Sequence, residues 1–339
     1  MYAVAIESDS VTKRPMRILV LGATGHAGQA IVRHALEQGR EVTALTRRAH
    51  PESLRGLGVK VARIEPDLRS LGELTAGHDL LVDAAAPYKL DLCIPGSLEW
   101  RSQVDAAVRR TQLVIDAARR HNAALVFVST YGTIPRHDNS PSPDALWRRM
   151  VCPYYEAKIA MDQAVLVAAR EGLRALIVNP VAFVGPWNYR EGWNLVPNVL
   201  MRQIPVVIDL VMSVIDVRDV ASAIDLAISQ EYFGRQIPLA GHTIHASEIV
   251  QRTARLAGVP IPPPLVVPGP LAVAGAYWTH LALNAFGLRS PELLGLVAIT
   301  PEMRPLAPSP EQIELGVNIR PLEASLRDAV AFHLRRPSG

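Results

Sequence analysis

Residues 17–30 read RILVLGATGHAGQA, an apolar, β-branched run that meets glycine and then changes to helical spacing. The run predicts a buried strand, and the segment after it predicts a helix that stops near Gly39. Between the two, Gly22, Gly25 and Gly28 are spaced G-x-x-G-x-x-G. Such a turn bends sharply and leaves helix N–H groups free to bind a pyrophosphate. We therefore predict a dinucleotide-binding unit here; a tight turn with no ligand is the alternative.

The same alternation continues from the glycine turn to Pro180. Five further strand patterns are separated by helical ones: EVTALT, VKVARIE, HDLLVDAAA, AALVFVST and RALIVNP. Strands that alternate with helices predict a parallel sheet covered on both faces. Beyond Pro186 the sequence becomes irregular, aromatic and proline-rich. We expect an α/β fold, with a doubly wound parallel sheet and a smaller, mostly helical C-terminal region over the ligand crevice.

These patterns also predict the domain boundaries. Residues 1–15 are expected to form a leader, and residues 16–185 together with about 212–242 the cofactor-binding domain. Residues 186–211 and 243–335 are expected to form the substrate-binding region.

Composition excludes other classes of protein. The chain has 339 residues, of which 49% are hydrophobic and 20% charged, and a net charge of only +3. These values are typical of a globular protein, and the scattered arginines indicate no nucleic-acid surface. Cys93 and Cys152 lie far apart and the histidines lack ligand spacing, so we expect no metal site and no disulfide. We expect a cytoplasmic enzyme that acts on a small-molecule substrate.

The stretch from Leu271 to Leu288 carries no formally charged residue and is about as long as a minimal membrane span. It also contains His280, Asn284 and two glycines. We predict a buried or pocket-lining helix and no stable span, and leave open whether the stretch contacts a membrane or a lipid-like substrate.

The end of the second strand bears on the choice of nicotinamide cofactor. An NAD site usually carries an acidic residue there, which binds the ribose hydroxyls. This chain has Thr46, Arg47 and Arg48 instead. Because a guanidinium binds a phosphate through two parallel hydrogen bonds, this pattern favours NADP(H) over NAD(H). The alternative is that both arginines are simply solvated.

Further cofactor contacts are predicted at the other strand ends. Asp67, next to Leu68 after the third strand, is a candidate to hold the adenine amino group. Small residues after the fourth strand would let the cofactor lie close. With the residues of the glycine turn, the set also comprises Gly22, Thr24, Gly25, His26, Ala27, Gly28, Ala84, Ala85 and Ala86.

Tyr154 and Lys158 are spaced i, i+4, so on a helix they share one face. A free tyrosine has a pKa of about 10 and is a poor base at neutral pH. A neighbouring ammonium stabilises the phenolate, so this pair can exchange a proton with a substrate oxygen. Ser129 and Thr130, at the end of the fifth strand, offer a hydroxyl to orient that oxygen. Lys158 can also hold the nicotinamide ribose.

With these features, the chain resembles the extended branch of the short-chain dehydrogenase/reductase superfamily, whose members carry a Rossmann domain. The matching motifs are GATGHAG, DAAAP, VFVSTYG, YYEAK, NPVAFVGP and VIDVRDVASA. Within that branch, the chain is similar to NAD-dependent epimerase/dehydratase-like proteins, and especially to the dihydroflavonol-reductase-like and hopanoid-associated epimerase-like groups.

The resemblance implies a catalytic set of Thr130, Tyr154 and Lys158, with Ser129 as the alternative hydroxyl. It places Pro180, Val181 and Phe183 near the nicotinamide, and it implies a possible homodimer. The chain departs from the N-V-x-G-T helix pattern of the family, because Ala107 and Arg110 replace the Asn and the Gly. This departure puts proton relay through that Asn in doubt.

Three functions remain in competition. The leading one is an NADP-dependent oxidoreductase that acts on an apolar, aromatic, polycyclic or lipid-like substrate. It rests on the uncharged stretch and on Trp187, Trp193, Tyr277 and Trp278, which plain core packing would explain equally well. A nucleotide-sugar epimerase or dehydratase with retained NAD would need cations such as Arg190, Arg202 and Arg218. A non-catalytic NADP sensor is the third.

Overall fold

The computed structural model describes residues 14–48, 51–85, 92–93, 96–134, 153–189, 194–300 and 303–335. The strands within these ranges are β1 (Arg17–Leu21), β2 (Glu41–Thr46), β3 (Lys60–Arg63), β4 (Leu80–Asp83), β5 (Ala124–Val128), β6 (Ala175–Pro180), β7 (Ala182–Val184), β8 (Val206–Asp209), β9 (Val211–Asp216), β10 (Gln236–Leu239), β11 (His242–His245) and β12 (Leu265–Pro268).

The helices, numbered in chain order, are α1 (His26–Glu37), α2 (Leu71–Thr75), α3 (Leu98–Arg120), α4 (Tyr154–Arg170), α5 (Leu195–Leu200), α6 (Val217–Ser229), α7 (Ala246–Ala257), α8 (Gly269–Ala285), α9 (Glu292–Ala298), α10 (Pro310–Glu314) and α11 (Leu322–Leu334).

A seven-stranded parallel sheet in the order β10-β6-β5-β4-β1-β2-β3 forms the centre of the molecule. The chain runs outward from β1 to β3 on one side and from β4 on the other, so the strand order reverses between β1 and β4. Parallel sheets bind ligands in the crevice at such a point, beyond the carboxyl ends of the strands. The Rossmann-like α/β fold predicted from the sequence is confirmed.

Apolar side chains cover the sheet on both faces. Leu19 and Phe127 point into one core, with α3 and α4 against it, while Val20 and Val126 point into the other, with α1 and α6. Neighbouring residues of one strand therefore enter opposite cores, because successive side chains in a strand alternate between faces. This double burial explains why the strands read as continuous apolar runs.

The C-terminal region is mostly helical, as predicted, and adds two small sheets. One has the order β11-β9-β7 and the other pairs β12 with β8. Ion pairs hold the last helix and the residues just before it to the start of α6. Arg218 bridges Asp328 and the buried Asp216, and Arg320 contacts the buried Asp219. Charged contacts therefore fasten the end of the chain to α6.

The uncharged stretch forms helix α8, with one packed side and one exposed side. Val273, Ala276 and His280 are buried, whereas the side chains of Leu271 and Trp278 are 66% and 67% exposed. The stretch therefore forms a helix that is only partly buried, and not a wholly buried one. Among the described residues, no helix combines the length and apolar character that crossing a membrane requires.

The glycine turn between β1 and α1 is held by close backbone contacts that leave no room for a side chain at Gly22 or Gly28. Gly22 has a φ of +86°, a conformation that side chains other than glycine rarely adopt. A Cβ on Gly28 would lie 2.0 Å from the carbonyl oxygen of Gly22, whereas one on Gly25 would approach no closer than 3.3 Å to that oxygen. Gly28 is therefore required for packing, and Gly25 is not.

We predict that Gly28→Ala lowers the free energy of unfolding by several kcal/mol, because the methyl group would overlap the Gly22 carbonyl and push α1 away from β1. Gly25→Ala is the matched control and should stay within about 1 kcal/mol of the wild type. Urea unfolding followed by circular dichroism measures both. Equal stability of the two variants would contradict this assignment.

Candidate active site

The glycine turn forms a cradle that fits a dinucleotide phosphate. Helix α1 begins after Gly25 with no side-chain cap and no acidic residue in its first turn, so its first N–H groups remain available. A Cβ on Gly22 would lie 2.8 Å from the Cβ of Ala85, so the turn lies directly against the end of β4. Thr24 lies on this turn, and Ala27 lies in the first turn of α1. Ala84 and Ala85 border the glycine turn, while Ala86 lies outside the described residues.

His26 connects this turn to the segment after β7. Its Nε2 donates to the carbonyl oxygen of Pro186 at 2.9 Å, and its ring meets that of Phe183 edge-on at 5.9 Å between centroids. Burial lowers the pKa of His26 to about 4, so the imidazole is neutral at pH 7. Its side chain therefore serves as a structural link, and its predicted contact with a cofactor would run through the backbone N–H.

Three exposed arginines lie at the ends of β2 and β3. Arg47 and Arg48 follow Thr46, whose hydroxyl accepts the Arg48 backbone N–H at 3.0 Å. Arg63 ends β3 directly opposite Thr46 in the parallel register. Sequence reasoning missed Arg63, although the pairing of β2 with β3 in a doubly wound sheet brings their ends together. Within the described residues, none of these three side chains forms an ion pair.

The predicted adenine contact lies further along the same edge. Asp67 is largely exposed, and its carboxylate lies 3.3 Å from the guanidinium of Arg69. Leu68 is buried and has a φ of +58°. This positive φ turns the chain sharply between β3 and α2. Asp67 remains accessible at the rim of the sheet, where a partner could reach it.

Tyr154 and Lys158 lie together in the first turns of α4, which begins at Tyr154, directly after Pro153. Both residues are buried, with 8% and 5% of their surface exposed. The Lys158 Nζ is 6.0 Å from the centre of the Tyr154 ring. Tyr155 is buried as well, but its ring packs over Gly132, where a Cβ would come within 2.1 Å of it. The two tyrosines thus occupy different environments.

The ammonium of Lys158 lies among several charged groups. Burial lowers the pKa of Lys158 to about 8; Asp162 and Asp83 raise it, and Arg110 lowers it. Asp83, fully buried at the end of β4, accepts two hydrogen bonds from Arg110, at 2.6 and 2.8 Å. At the position where the family pattern has glycine, this chain therefore has Arg110, which forms an ion pair with Asp83. Ala107, at the Asn position, is buried in the core.

The two hydroxyl candidates at the end of β5 differ in their surroundings. Ser129 is 7% exposed, and its Oγ makes no hydrogen bond to the protein. Thr130 is partly exposed, and its carbonyl oxygen accepts from Thr133 Oγ1 at 2.9 Å and from Asn179 Nδ2 at 3.3 Å. Both precede a short 3-10 turn, Tyr131–Thr133, that packs against α4. The Ser129 Oγ therefore has no hydrogen-bond partner among the described residues that would compete with a ligand.

The segment after β6 closes the site beside the glycine turn. Pro180, which ends β6, and Val181, which follows it, are buried, while Phe183 is partly buried and packs against the core that contains α1. The predicted nicotinamide-side residues thus line up along the same edge of the sheet as the turn. His26, through its contact with Pro186, fixes their distance from α1.

An apolar cluster borders Tyr154 on the side of the C-terminal region. It joins Tyr154 and Tyr155 to residues of α8, α9 and the chain after α9: Tyr277, Leu294, Leu296, Ala298, Ile299 and Met303, and it also includes Leu92. Of the other aromatics expected around a substrate, Trp187 lies 4.7 Å from the Arg33 guanidinium and Trp278 is exposed. Trp193 lies outside the described residues.

Known proteins with similar sequences are reductases and related enzymes. A Synechocystis protein assigned the name dihydroflavonol 4-reductase is 27% identical over 331 residues, which cover 92% of each chain. Sterol demethylase protein B from Methylococcus capsulatus is 28% identical over 75% of this chain and 80% of its own.

Solved structures show the same fold. A nucleoside-diphosphate-sugar epimerase from Pseudomonas aeruginosa superposes with a TM-score of 0.71 at 19% identity, over 94% of this chain and 97% of its own. UDP-glucose 4-epimerase from Thermotoga maritima gives 0.68 at 16% identity, over 94% and 99%. The family model "NAD dependent epimerase/dehydratase family" matches residues 18–238. The chain therefore belongs to the NAD-dependent epimerase/dehydratase family, the extended type of short-chain dehydrogenase/reductase enzymes.

Proposed function

We propose that this enzyme is an NADP-dependent oxidoreductase that interconverts a ketone and a secondary alcohol on an apolar small molecule. The observation that carries the proposal is the buried Tyr154–Lys158 pair at the start of α4. Burying the Lys158 ammonium beside an apolar cluster costs stability, and titratable groups perturbed by burial in this way are typical of functional sites. The neighbouring Ser129 and Thr130 hydroxyls complete a set suited to bind and protonate one substrate oxygen.

The roles of the residues follow from their chemistry. When bound, the nicotinamide supplies or accepts the hydride. Tyr154 donates its hydroxyl proton to the substrate oxygen in reduction and removes it in oxidation, which is general acid–base catalysis. The Lys158 ammonium stabilises the phenolate that forms and holds the nicotinamide ribose. Thr130, or Ser129, orients the substrate oxygen by a hydrogen bond.

The preference for NADP is supported by charge at the second strand's end. The described residues place Arg47, Arg48 and Arg63 at neighbouring strand ends, and all three are exposed. A 2′-phosphate in this position would meet up to three guanidinium groups, each able to bind it through two hydrogen bonds. Asp67 would approach the adenine from the same edge.

An apolar substrate is supported by the residues around Tyr154. The cluster that borders this tyrosine consists of leucine, isoleucine, alanine, methionine and tyrosine side chains. The names of the Synechocystis and Methylococcus relatives refer to a dihydroflavonol and to a sterol, both largely apolar ring systems. We therefore place the substrate between the end of the sheet and α8–α9. This assigns residues 16–185 with 212–242 to cofactor binding, and 186–211 with 243–335 to the substrate.

A nucleotide-sugar epimerase that retains NAD is the second candidate, since the two structural neighbours described above are named as nucleotide-sugar epimerases. Its substrate diphosphate would require free cations. Arg218 is already engaged with Asp216 and Asp328 in the described structure. Arg202 is exposed, and Arg190 lies outside the described residues. The ketone reductase accounts better for the apolar surroundings of Tyr154.

We predict that Tyr154→Phe lowers kcat by about 10²- to 10⁴-fold, because the proton donor is lost while the ring remains. The measurement is NADPH consumption with a panel of aromatic and polycyclic ketones. Tyr155→Phe is the matched control and should retain activity, because its ring packs over Gly132. Full activity of Tyr154→Phe would exclude the proposed mechanism.

We predict that Arg47→Gln and Arg48→Gln each weaken NADPH binding about tenfold or more, since charge-assisted hydrogen bonds to the 2′-phosphate are lost. NADH binding should change little. Isothermal titration with both cofactors measures the effect, and Arg119→Gln serves as a control because Arg119 is paired with Glu171 at the C-terminal ends of α3 and α4. If the wild type binds NADH more tightly than NADPH, the assignment is wrong.

A further inference from the structure

A buried carboxylate lies directly behind the Tyr154–Lys158 pair. Asp162 follows Lys158 by four residues in α4, so it lies one helical turn further along the same side. Only 3% of its surface is exposed. A buried ionised carboxylate is costly unless it is hydrogen-bonded and faces a positive charge. Neither the family motifs nor the proposed reaction assigns this residue a role.

Three neutral donors from separate elements converge on one oxygen of this carboxylate. Asp162 Oδ2 accepts from Thr133 Oγ1 at 2.7 Å, from Asn179 Nδ2 at 3.1 Å and from Gln236 Nε2 at 3.2 Å. These donors come from the turn after β5, from β6 and from β10. Multiple donors to one oxygen hold the side chain in a single position and favour its charged form.

The other oxygen is left without such partners. Asp162 Oδ1 makes no hydrogen bond to the protein, and the same is true of the buried Ser129 Oγ. Ser129, Thr133 and Lys158 lie close enough to lower the pKa of Asp162, against the larger raising effect of burial. Asp162 thus lies near Lys158 and the Ser129 hydroxyl, and its Oδ1 retains the capacity to accept a hydrogen bond.

The charge balance around Lys158 makes Asp162 its main counter-charge. The charged groups that act on Lys158 are Asp162, Asp83 and Arg110. Asp83 is bound by two hydrogen bonds to Arg110, so its negative charge is largely offset at the distance of Lys158. The hydrogen-bond donors to Asp162 are all neutral, so they do not cancel the negative charge of its carboxylate. Asp162 is therefore the largest source of negative charge acting on the ammonium.

We propose that Asp162 is a positioning residue that keeps Lys158 protonated and fixed beside Tyr154. The carboxylate acts through Lys158, and it contacts neither substrate nor cofactor. This inference rests on the proposed roles of Tyr154 and Lys158 in turnover. Its physical core, an electrostatic pairing of Asp162 with Lys158, is independent of them and is testable without any substrate.

The test is the pKa of Lys158, measured by competitive acylation over a range of pH with mass spectrometry of the Lys158 peptide. Asp162→Asn keeps the shape of the side chain and removes its charge. For the spacing of about 6 Å that is general for i, i+4 residues of a helix, and an effective dielectric of about 20, loss of this charge should lower the Lys158 pKa by about one to two units. Thr133→Val, which removes one neutral donor and keeps the charge, should shift it by less than half as much.

Turnover gives the second readout. The limb of the kcat–pH profile that reflects Lys158 should move to lower pH in Asp162→Asn by the same amount, and hardly in Thr133→Val. A folded Asp162→Asn variant with an unchanged Lys158 pKa would overturn the inference. If the pKa shifts but Tyr154→Phe remains fully active, the pairing stands and the proposed function fails.

A double-mutant cycle covers the case in which Asp162→Asn folds poorly. Lys158→Met leaves the Asp162 carboxylate buried without its counter-charge and should lower the melting temperature. Adding Asp162→Asn to Lys158→Met should then raise the melting temperature again. If the decreases in melting temperature caused by the two substitutions simply add in the double variant, the two groups do not interact, and the proposal is overturned.

Discussion

The close contact between Gly28 and the Gly22 carbonyl is the constraint on which the rest of the structure depends. With no Cβ in the way, α1 packs directly against the end of β1 and presents its first N–H groups at the edge of the sheet. Gly22 in turn lies against Ala84 and Ala85, so the ends of β1 and β4 share one cradle. This is the point where the strand order reverses and a parallel sheet opens its crevice.

Around this cradle the sheet brings together groups that differ in charge and polarity. Arginines lie at the ends of β2 and β3, a buried ion pair lies at the end of β4, and hydroxyls lie after β5. The Tyr154–Lys158 pair enters from α4, and the apolar cluster of α8 and α9 covers it from the other side. Under the proposed function, the cofactor phosphates would bind at the glycine cradle, and the apolar part of the substrate would bind beside Tyr154.

Lys158 shows how the interior controls a single charge. Burial alone would favour its neutral form, which would be of no use beside a phenolate. The balance is set by Asp83, Arg110 and Asp162, which come from β4, α3 and α4. The departure from the family pattern at Arg110 is therefore part of this balance, since its positive charge is bound to Asp83. The pKa of Lys158 is thus adjusted by three side chains that take no direct part in the proposed mechanism.

Local patterns in the sequence determined the element types, the parallel sheet and the shared face of Tyr154 and Lys158, because strand and helix periods follow from a few neighbouring residues. The tertiary structure alone decided contacts between distant positions. Examples are His26 with Pro186, Asp83 with Arg110, and Asp162 with Asn179 and Gln236. Such partners carry no periodic signal, since chain packing and strand order bring them together. The proposed acid/base was therefore visible in five letters of sequence, and the charges that tune it were not.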